Sequence, residues 1–399
     1  LNDKHYYDLF GTSLEAATIT GIKVKGGFDQ STGSFVNGMD ATGNGGLLYA
    51  GVVLPLGRGM FIDERRAALR QAKIAQELAE FERQSLMNDL LLKVTETYWK
   101  WSFAFTMMHI YEEAMDLAYT RFEQERERFY GGESSGVDTL ESYLQYQSRL
   151  AEFNKAQIKF YEKQLMLSAQ LWNENGEPVE MGPDMVPVDL LELHPDAESN
   201  VVVLDEETFR DNHPVSRRYE REIEMQQVDI RLRKEMIKPQ LDLSYNIINE
   251  PFYQNDEFVS GLSPNDYKLG VNFSMPILLR KERAALQISN LYLETKQQFR
   301  DQKVRELWQE YNATIRNLVL YTNQIANYRL MMRNYNRLLN AEVTMFMEGE
   351  STLFMINARE IKYIDSRVKL TENYREVVLM KARLHWLSGD LWDWEPEDG

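Results

Sequence analysis

Cysteine is absent from the 399 residues. Disulfide frameworks, zinc–thiolate sites and cysteine nucleophiles are excluded with it, although the absence names no compartment. Long apolar runs are missing too: no stretch of about 18 apolar residues occurs, so no transmembrane helix is expected. Basic residues are outnumbered, 45 Lys and Arg against 62 Asp and Glu, for a formal net charge of −17. That argues against nucleic acid as a partner, because binding phosphates needs Lys and Arg patches. The acidity fits a solvated surface, or a water-filled lumen that favours cations. Histidine is scarce, and His5, His109, His194, His213 and His385 show no metal-ligand spacing. No metal or other cofactor is implied. The chain starts abruptly at Leu1, which leaves a leader and any lipidated N-terminal residue to lie upstream.

What is present excludes whole-chain disorder, since 43% of residues are hydrophobic and 27% charged. It also repeats. Arg66-Ala67-Ala68-Leu69 recurs as Arg283-Ala284-Ala285-Leu286, and Gly132-Glu133-Ser134 as Gly349-Glu350-Ser351. Both recurrences have one offset, 217 residues (283 − 66 and 349 − 132). Pro55 and Pro276 correspond four residues out of step, which marks a small insertion in the first copy around Gly57 and Gly59.

Each copy begins with alternating strands. Leu241, Leu243, Tyr245 and Ile247 alternate with Gln240, Asp242, Ser244 and Asn246. Tyr267, Leu269, Val271, Phe273 and Met275 alternate with Lys268, Gly270, Asn272 and Ser274. A loop rich in Asn, Asp, Pro and Gly, Asn249 to Asp266, lies between them. The first copy is noisier: Ile22, Val24 and Phe28 share one face, and Leu48, Ala50, Val52 and Leu54 another strand's face. Period two with one apolar face signals a strand. Each is roughly 10 residues, the length that crosses an outer membrane when tilted. An ordinary soluble hairpin packed on a core has the same pattern.

Long helices follow. Neither Gly nor Pro occurs from Met60 to Tyr130 or from Ile277 to Glu348, and both stretches are rich in good helix formers. At about 1.5 Å per residue each predicts a rod on the order of 100 Å, which needs a partner along its length. Gly131-Gly132 and Gly349 turn the chain, and second helices are expected from Val137 to Asn173 and Leu353 to Leu387. The segments read as follows: 1–57, the end of a leading helix near Ala17 and the first hairpin; 58–173, the first helical hairpin; 174–214, an irregular collar holding Pro178, Pro183, Pro187, Pro195 and Val201-Val202-Val203; 215–238, a helix leading into the second copy; 239–279, the second hairpin; 280–388, the second helical hairpin; 389–399, an exposed tail with Trp392, Trp394 and Pro396. Four strands cannot close a membrane barrel, since known ones begin at about eight. Open edges in lipid leave backbone groups unpaired. Membrane strands here therefore require further copies of the chain, and closed cyclic symmetry is the natural arrangement.

Three features carry a family resemblance. The strand units end in Val53-Leu54-Pro55-Leu56 and Ser274-Met275-Pro276-Ile277. The Arg-Ala-Ala-Leu runs open the long helices. The turns read Tyr130-Gly131-Gly132-Glu133-Ser134-Ser135-Gly136-Val137-Asp138 and Phe346-Met347-Glu348-Gly349-Glu350-Ser351-Thr352-Leu353. In these the chain resembles the TolC-like outer-membrane efflux proteins over nearly its whole length. The resemblance implies a mainly α fold with a membrane β-barrel portion. It implies a homotrimer with the barrel in the outer membrane of a Gram-negative bacterium and a helical tunnel through the periplasm. The partners it implies are outer-membrane lipid, a periplasmic membrane-fusion adaptor and an inner-membrane transporter, and it implies an export duct that is not an enzyme. The turns become the periplasmic tip, with Gly131, Gly132, Glu133, Ser134, Gly349, Glu350, Ser351 and Thr352 as adaptor-docking candidates. On the other reading those glycines only permit tight turns. Some family members close the tip with aspartates six and nine residues past the second-copy turn glycine. Met355 and Ala358 stand there instead. The constriction candidates are Asp138, Met355, Arg359 and Glu360.

Other readings are weaker. Gly43-Asn44-Gly45-Gly46 precedes a strand, not a helix, so it is no phosphate cradle. No carboxylate pair stands out from solvated helix faces. Met107, Met108, Met331 and Met332 suit packing in a helical wall, or thioether contacts in a soft-metal duct. The remaining alternatives are a type I secretion outlet for polypeptides and a soluble or tethering coiled-coil scaffold.

Overall fold

The computed structural model describes residues 7–33, 36–38, 41–42, 45–182, 184–193, 204–249, 253–254, 257–258, 265–275, 277–389 and 391. The elements run β1 (Asp8–Ala17), β2 (Lys23–Thr32), β3 (Leu47–Pro55), α1 (Glu64–Tyr130), α2 (Gly136–Ser168), α3 (Leu190–Leu193), α4 (Glu206–Asn212), α5 (Pro214–Met236), β4 (Gln240–Asn249), β5 (Tyr253–Gln254), β6 (Glu257–Phe258), β7 (Tyr267–Ser274), α6 (Arg280–Met347) and α7 (Leu353–Ser388). The fold is thus mainly helical with a five-stranded antiparallel sheet and a short two-stranded one, in keeping with the mainly α fold that the resemblance implied. His5, His194, Pro183, Pro195, Pro276, Val201-Val202-Val203, Gly43-Asn44, most of the Asn249–Asp266 loop and the tail from Trp392 lie outside the described residues.

The chain divides into two compact units, Leu1–Glu80 with Arg218–Asp301 and Phe81–Arg217 with Gln302–Gly399. The first holds the five-stranded sheet, ordered β1-β2-β3-β4-β7, and the short β5–β6 pair. Antiparallel pairing of β3 with β4, from Leu48↔Asn249 to Pro55↔Asp242, joins the strands of the two sequence copies into one sheet. In the same unit Ile62, Ala67 and Ile74 are buried together with Val228 of α5. The repeated arginine has a local task here. Arg66 donates to the carbonyls of Gly59, Met60 and Thr20, and so closes the first copy's inserted loop, where Gly59 sits at φ 90°.

Two expectations are corrected. A leading helix ending near Ala17 is absent; Asp8–Ala17 is strand β1, paired along its whole length with β2 from Asp8↔Thr32 to Ala17↔Lys23. Gly11, Thr12 and Ser13 weaken a helix there, and a free strand edge beside them rewards extension. The main sheet consequently has five strands, not four. Helix α2 also stops at Ser168 rather than Asn173. Asn173 Oδ1 accepts from the N–H groups of Asn175 and Glu177, and Trp172 bridges to Pro178. Local side-chain bonding of this kind outcompetes another helical turn.

In the second unit the helices pack in the order α2-α1-α7-α6. Phe160 of α2 stacks on Trp101 of α1, with ring centroids 6.1 Å apart. Ile110 and Ala114 of α1 cluster with Ile364 of α7. Leu307, Tyr311, Leu318 and Ile325 of α6 form the largest core with Leu370, Tyr374, Val377 and Leu387 of α7. Leu190 of α3 and Phe209 of α4 seal that core, so the segment read as an irregular collar contributes packed helical turns. Met107, Met108 and Met332 pack against these clusters; Met331 is exposed.

Candidate functional site

Directly opposed residues in an antiparallel pair project to the same side of a sheet. Leu241, Leu243, Tyr245 and Ile247 oppose Phe273, Val271, Leu269 and Tyr267. Leu54, Val52 and Ala50 of β3 oppose Leu243, Tyr245 and Ile247. Val24 and Phe28 of β2 oppose Val52 and Leu48. One apolar face therefore runs unbroken across both sequence copies, and β1 extends it with Phe10, Leu14 and Ala16. Among the described residues nothing covers its margins: Leu14 is 84% exposed, Val271 67% and Phe273 65%. The other face carries Lys25, Asp29, Asp242, Ser244, Asn246, Lys268 and Asn272, interrupted by Leu9, Leu47, Tyr49, Val53 and Ile248. A soluble hairpin hides its apolar side and wets the polar one. This sheet leaves its apolar side bare at the edges, the arrangement that lipid stabilises.

The helix turns form a second assembly of functional candidates. At the first, Gly132 adopts φ 77°, and at the second Gly349 adopts φ 82°, a left-handed conformation that glycine reaches without strain. Gly131, Gly132, Glu133, Gly349, Glu350 and Thr352 are exposed. The two serines are not turned outward. Ser134 Oγ donates to Glu125 Oε2 at 2.8 Å, and Ser351 Oγ donates to Glu342 Oε1 at 2.5 Å. The two glutamates are themselves one repeat apart (342 − 125 = 217), a signal the sequence carried and motif reading passed over. Each carboxylate takes an arginine as well, but from different places: Arg128 on Glu125 at 2.7 Å and Arg359 on Glu342 at 3.3 Å. The Ser351 hydroxyl, helped by the Arg359 guanidinium, holds the Glu342 carboxyl below its ordinary value. Arg128 also lies over the Phe346 ring, 5.3 Å from its centroid, so the two turns are neighbours.

The constriction candidates fare unequally. Asp138 is half-buried in the first turn of α2, where its carboxylate accepts from the Ser135 hydroxyl at 2.7 Å. Met355 is half-buried in the first turn of α7. Arg359 is committed to Glu342. Glu360 leaves the set: it is 1% exposed, pairs with Arg121 at 2.6 Å and with buried Arg149 at 3.6 Å, and so ties α7 to α1 and α2. A group lining a wet passage must reach water, and Glu360 is enclosed among α1, α2 and α7. Among the described residues no cluster of His, Asp and Glu is arranged to hold a metal ion.

No protein-family model matches the chain, and no curated protein sequence matches it. Solved structures do. The outer-membrane channel OprN superposes with a TM-score of 0.72 at 14% identity, over 97% of this chain and 82% of its own. VceC, an outer-membrane protein of Vibrio cholerae, gives 0.67 at 13%, over 97% and 88%. The CmeC outer-membrane channel of Campylobacter jejuni gives 0.66 at 12%, over 97% and 78%. This chain has the TolC-like outer membrane factor fold. The TolC-like structures it matches are channels, not enzymes. Identity this low carries the fold alone, so what the TolC-like chain does rests on its own residues.

Proposed function

We propose that the chain is one protomer of a homotrimeric outer-membrane export duct, taking small molecules from an inner-membrane pump and a periplasmic adaptor to the outside. The observation that carries the reading is the apolar face that runs across strands from both sequence copies and lies bare at its margins. A sheet with one face for lipid and one for water, and open edges, is a segment of a barrel wall. Two further copies supply the rest of the wall. The exposed turn residues Gly131, Gly132, Glu133, Gly349, Glu350 and Thr352 form the periplasmic surface offered to an adaptor. Ser134 and Ser351 act beneath it by fixing the turns to Glu125 and Glu342. Met355, Asp138 and Arg359 remain the side chains nearest a closable passage. The duct performs no chemistry; the pump supplies the energy.

The test is extraction and conductance. The chain should need detergent, migrate as a trimer and conduct ions in a planar bilayer. A detergent-free monomer without conductance defeats the reading and leaves a coiled-coil scaffold. Loss of drug resistance on gene deletion, with secreted proteins unchanged, separates small-molecule efflux from polypeptide secretion.

A further inference from the structure

Strand β1 occupies an edge that a closed ring of copies requires for something else. In the sheet order β1-β2-β3-β4-β7 every pairing is antiparallel. Strands β1, β3 and β7 therefore run one way, and β2 and β4 the other. When copies close into a barrel, β7 of one meets the first strand of the next. If that first strand is β1, the junction is parallel, and each copy adds such a fault to a wall that is otherwise antiparallel. If the first strand is β2, every junction is antiparallel, as membrane barrels are built.

The sequence of β1 fits this substitution. Phe10-Gly11-Thr12-Ser13-Leu14-Glu15 and Leu269-Gly270-Val271-Asn272-Phe273-Ser274 share one pattern: apolar, Gly, β-branched, polar, apolar, polar. Both stretches run in the same direction and put the apolar members on the same face of the sheet. Strand β1 is also lightly covered. All ten of its residues are exposed, whereas β3 and β4 are half-buried throughout. Among the described residues, its side-chain contacts include the Glu15–Lys23 ion pair at 3.2 Å, a longer Glu15–Arg65 pair at 3.9 Å and the Phe10–Phe28 ring contact.

We propose that β1 is a displaceable surrogate: it covers the β2 edge in the single chain and gives way on assembly to β7 of a second copy. The inference rests on the homotrimeric duct reading above. Matching the two patterns also sets the register. Ser13 opposes Gly27 and Glu15 opposes Lys25 in the single chain, so Asn272 and Ser274 of one copy should oppose Gly27 and Lys25 of the next. The surrogate has a plain physical use. An uncovered strand edge pairs with any other strand it meets, and β1 keeps that edge closed until the correct partner arrives.

Engineered disulfides test this without background, because the chain contains no cysteine. The pair Glu15→Cys with Lys25→Cys bridges β1 to β2 within a copy; Ser274→Cys with Lys25→Cys bridges β7 to β2 between copies. Chains oxidised at the first pair before assembly should lose the detergent-extracted multimer and regain it with reductant. The second pair should give covalent dimers and trimers on denaturing gels. Proline at Thr12 or Ser13, one of which must direct its N–H at β2, should leave the multimer yield intact. The proposal is overturned if chains bridged between β1 and β2 assemble as well as the wild type, or if the proline variants lose the multimer. Either result makes β1 a permanent wall strand. A wild-type chain that forms no multimer at all refutes the duct reading first, before any disulfide is formed.

Discussion

A single charge moved by one residue along β7 is the sharpest probe of the two-faced sheet. Val271 and Asn272 are adjacent at the middle of the strand Tyr267–Ser274. Val271 opposes Leu243 on the apolar face, and Asn272 opposes Asp242 on the polar one. Val271→Arg puts a guanidinium into lipid near mid-depth, which costs about 2–4 kcal/mol per site and so on the order of 6–12 kcal/mol for three copies. Asn272→Arg puts the same group beside Asp242 and water, at a cost near zero. The assay is the fraction of chain recovered from outer membranes as a heat-resistant multimer. Val271→Arg should reduce it severely, and Asn272→Arg should leave it near wild type. Equal effects of the two substitutions, in either direction, refute the assignment of the faces.

Three further outcomes are expected. Glu360→Ala removes the buried carboxylate between Arg121 and Arg149, leaving Arg121 its bond to Asn357 and Arg149 its pair with Glu152. Breaking a buried pair from one side costs about 3–5 kcal/mol, and the remaining partners put the expected loss at the lower end; denaturant unfolding followed by helical circular dichroism measures it, and a change under about 1 kcal/mol would remove Glu360 as a tie. His213 is buried and its pKa is pushed down to about 4 from 6.5; it is held neutral, with Nδ1 accepting from the Val215 N–H at 3.2 Å. The unfolded chain then takes up a proton near pH 6.5 while the folded one resists until about 4. Stability should therefore fall as pH drops through that window, by about 2.5 kcal/mol between pH 7 and 4.5, and the fall should be smaller in His213→Gln. Gly132→Ala and Gly349→Ala meet no neighbouring atom but impose a left-handed backbone; each should cost about 1–2 kcal/mol, read as a lowered unfolding midpoint.

Much was legible in the residues because it is local. Helix propensity without Gly or Pro set α1 and α6, and glycines placed both turns within a residue of where they stand. Alternation assigned the faces of β4 and β7 correctly, since side chains on a strand must alternate. The offset of 217 residues exposed the duplication. Propensity failed where a distant group decided the outcome. In Asp8–Ala17 the period-two pattern covers only Phe10 to Glu15, and pairing with the edge of β2 completes the strand. Glu360 looks in sequence like any carboxylate on a solvated helix face. Packing α7 against α1 and α2 buries it between two arginines. Ser134 and Ser351 look like surface turn residues until the helices place Glu125 and Glu342 beneath them. By itself, then, the sequence determined the elements, their duplication and the two-sidedness of the strands, because backbone preference and period act within a few residues. Only the tertiary structure decided which strands share an edge and which charges are shut inside, because both depend on contacts between residues far apart in the chain.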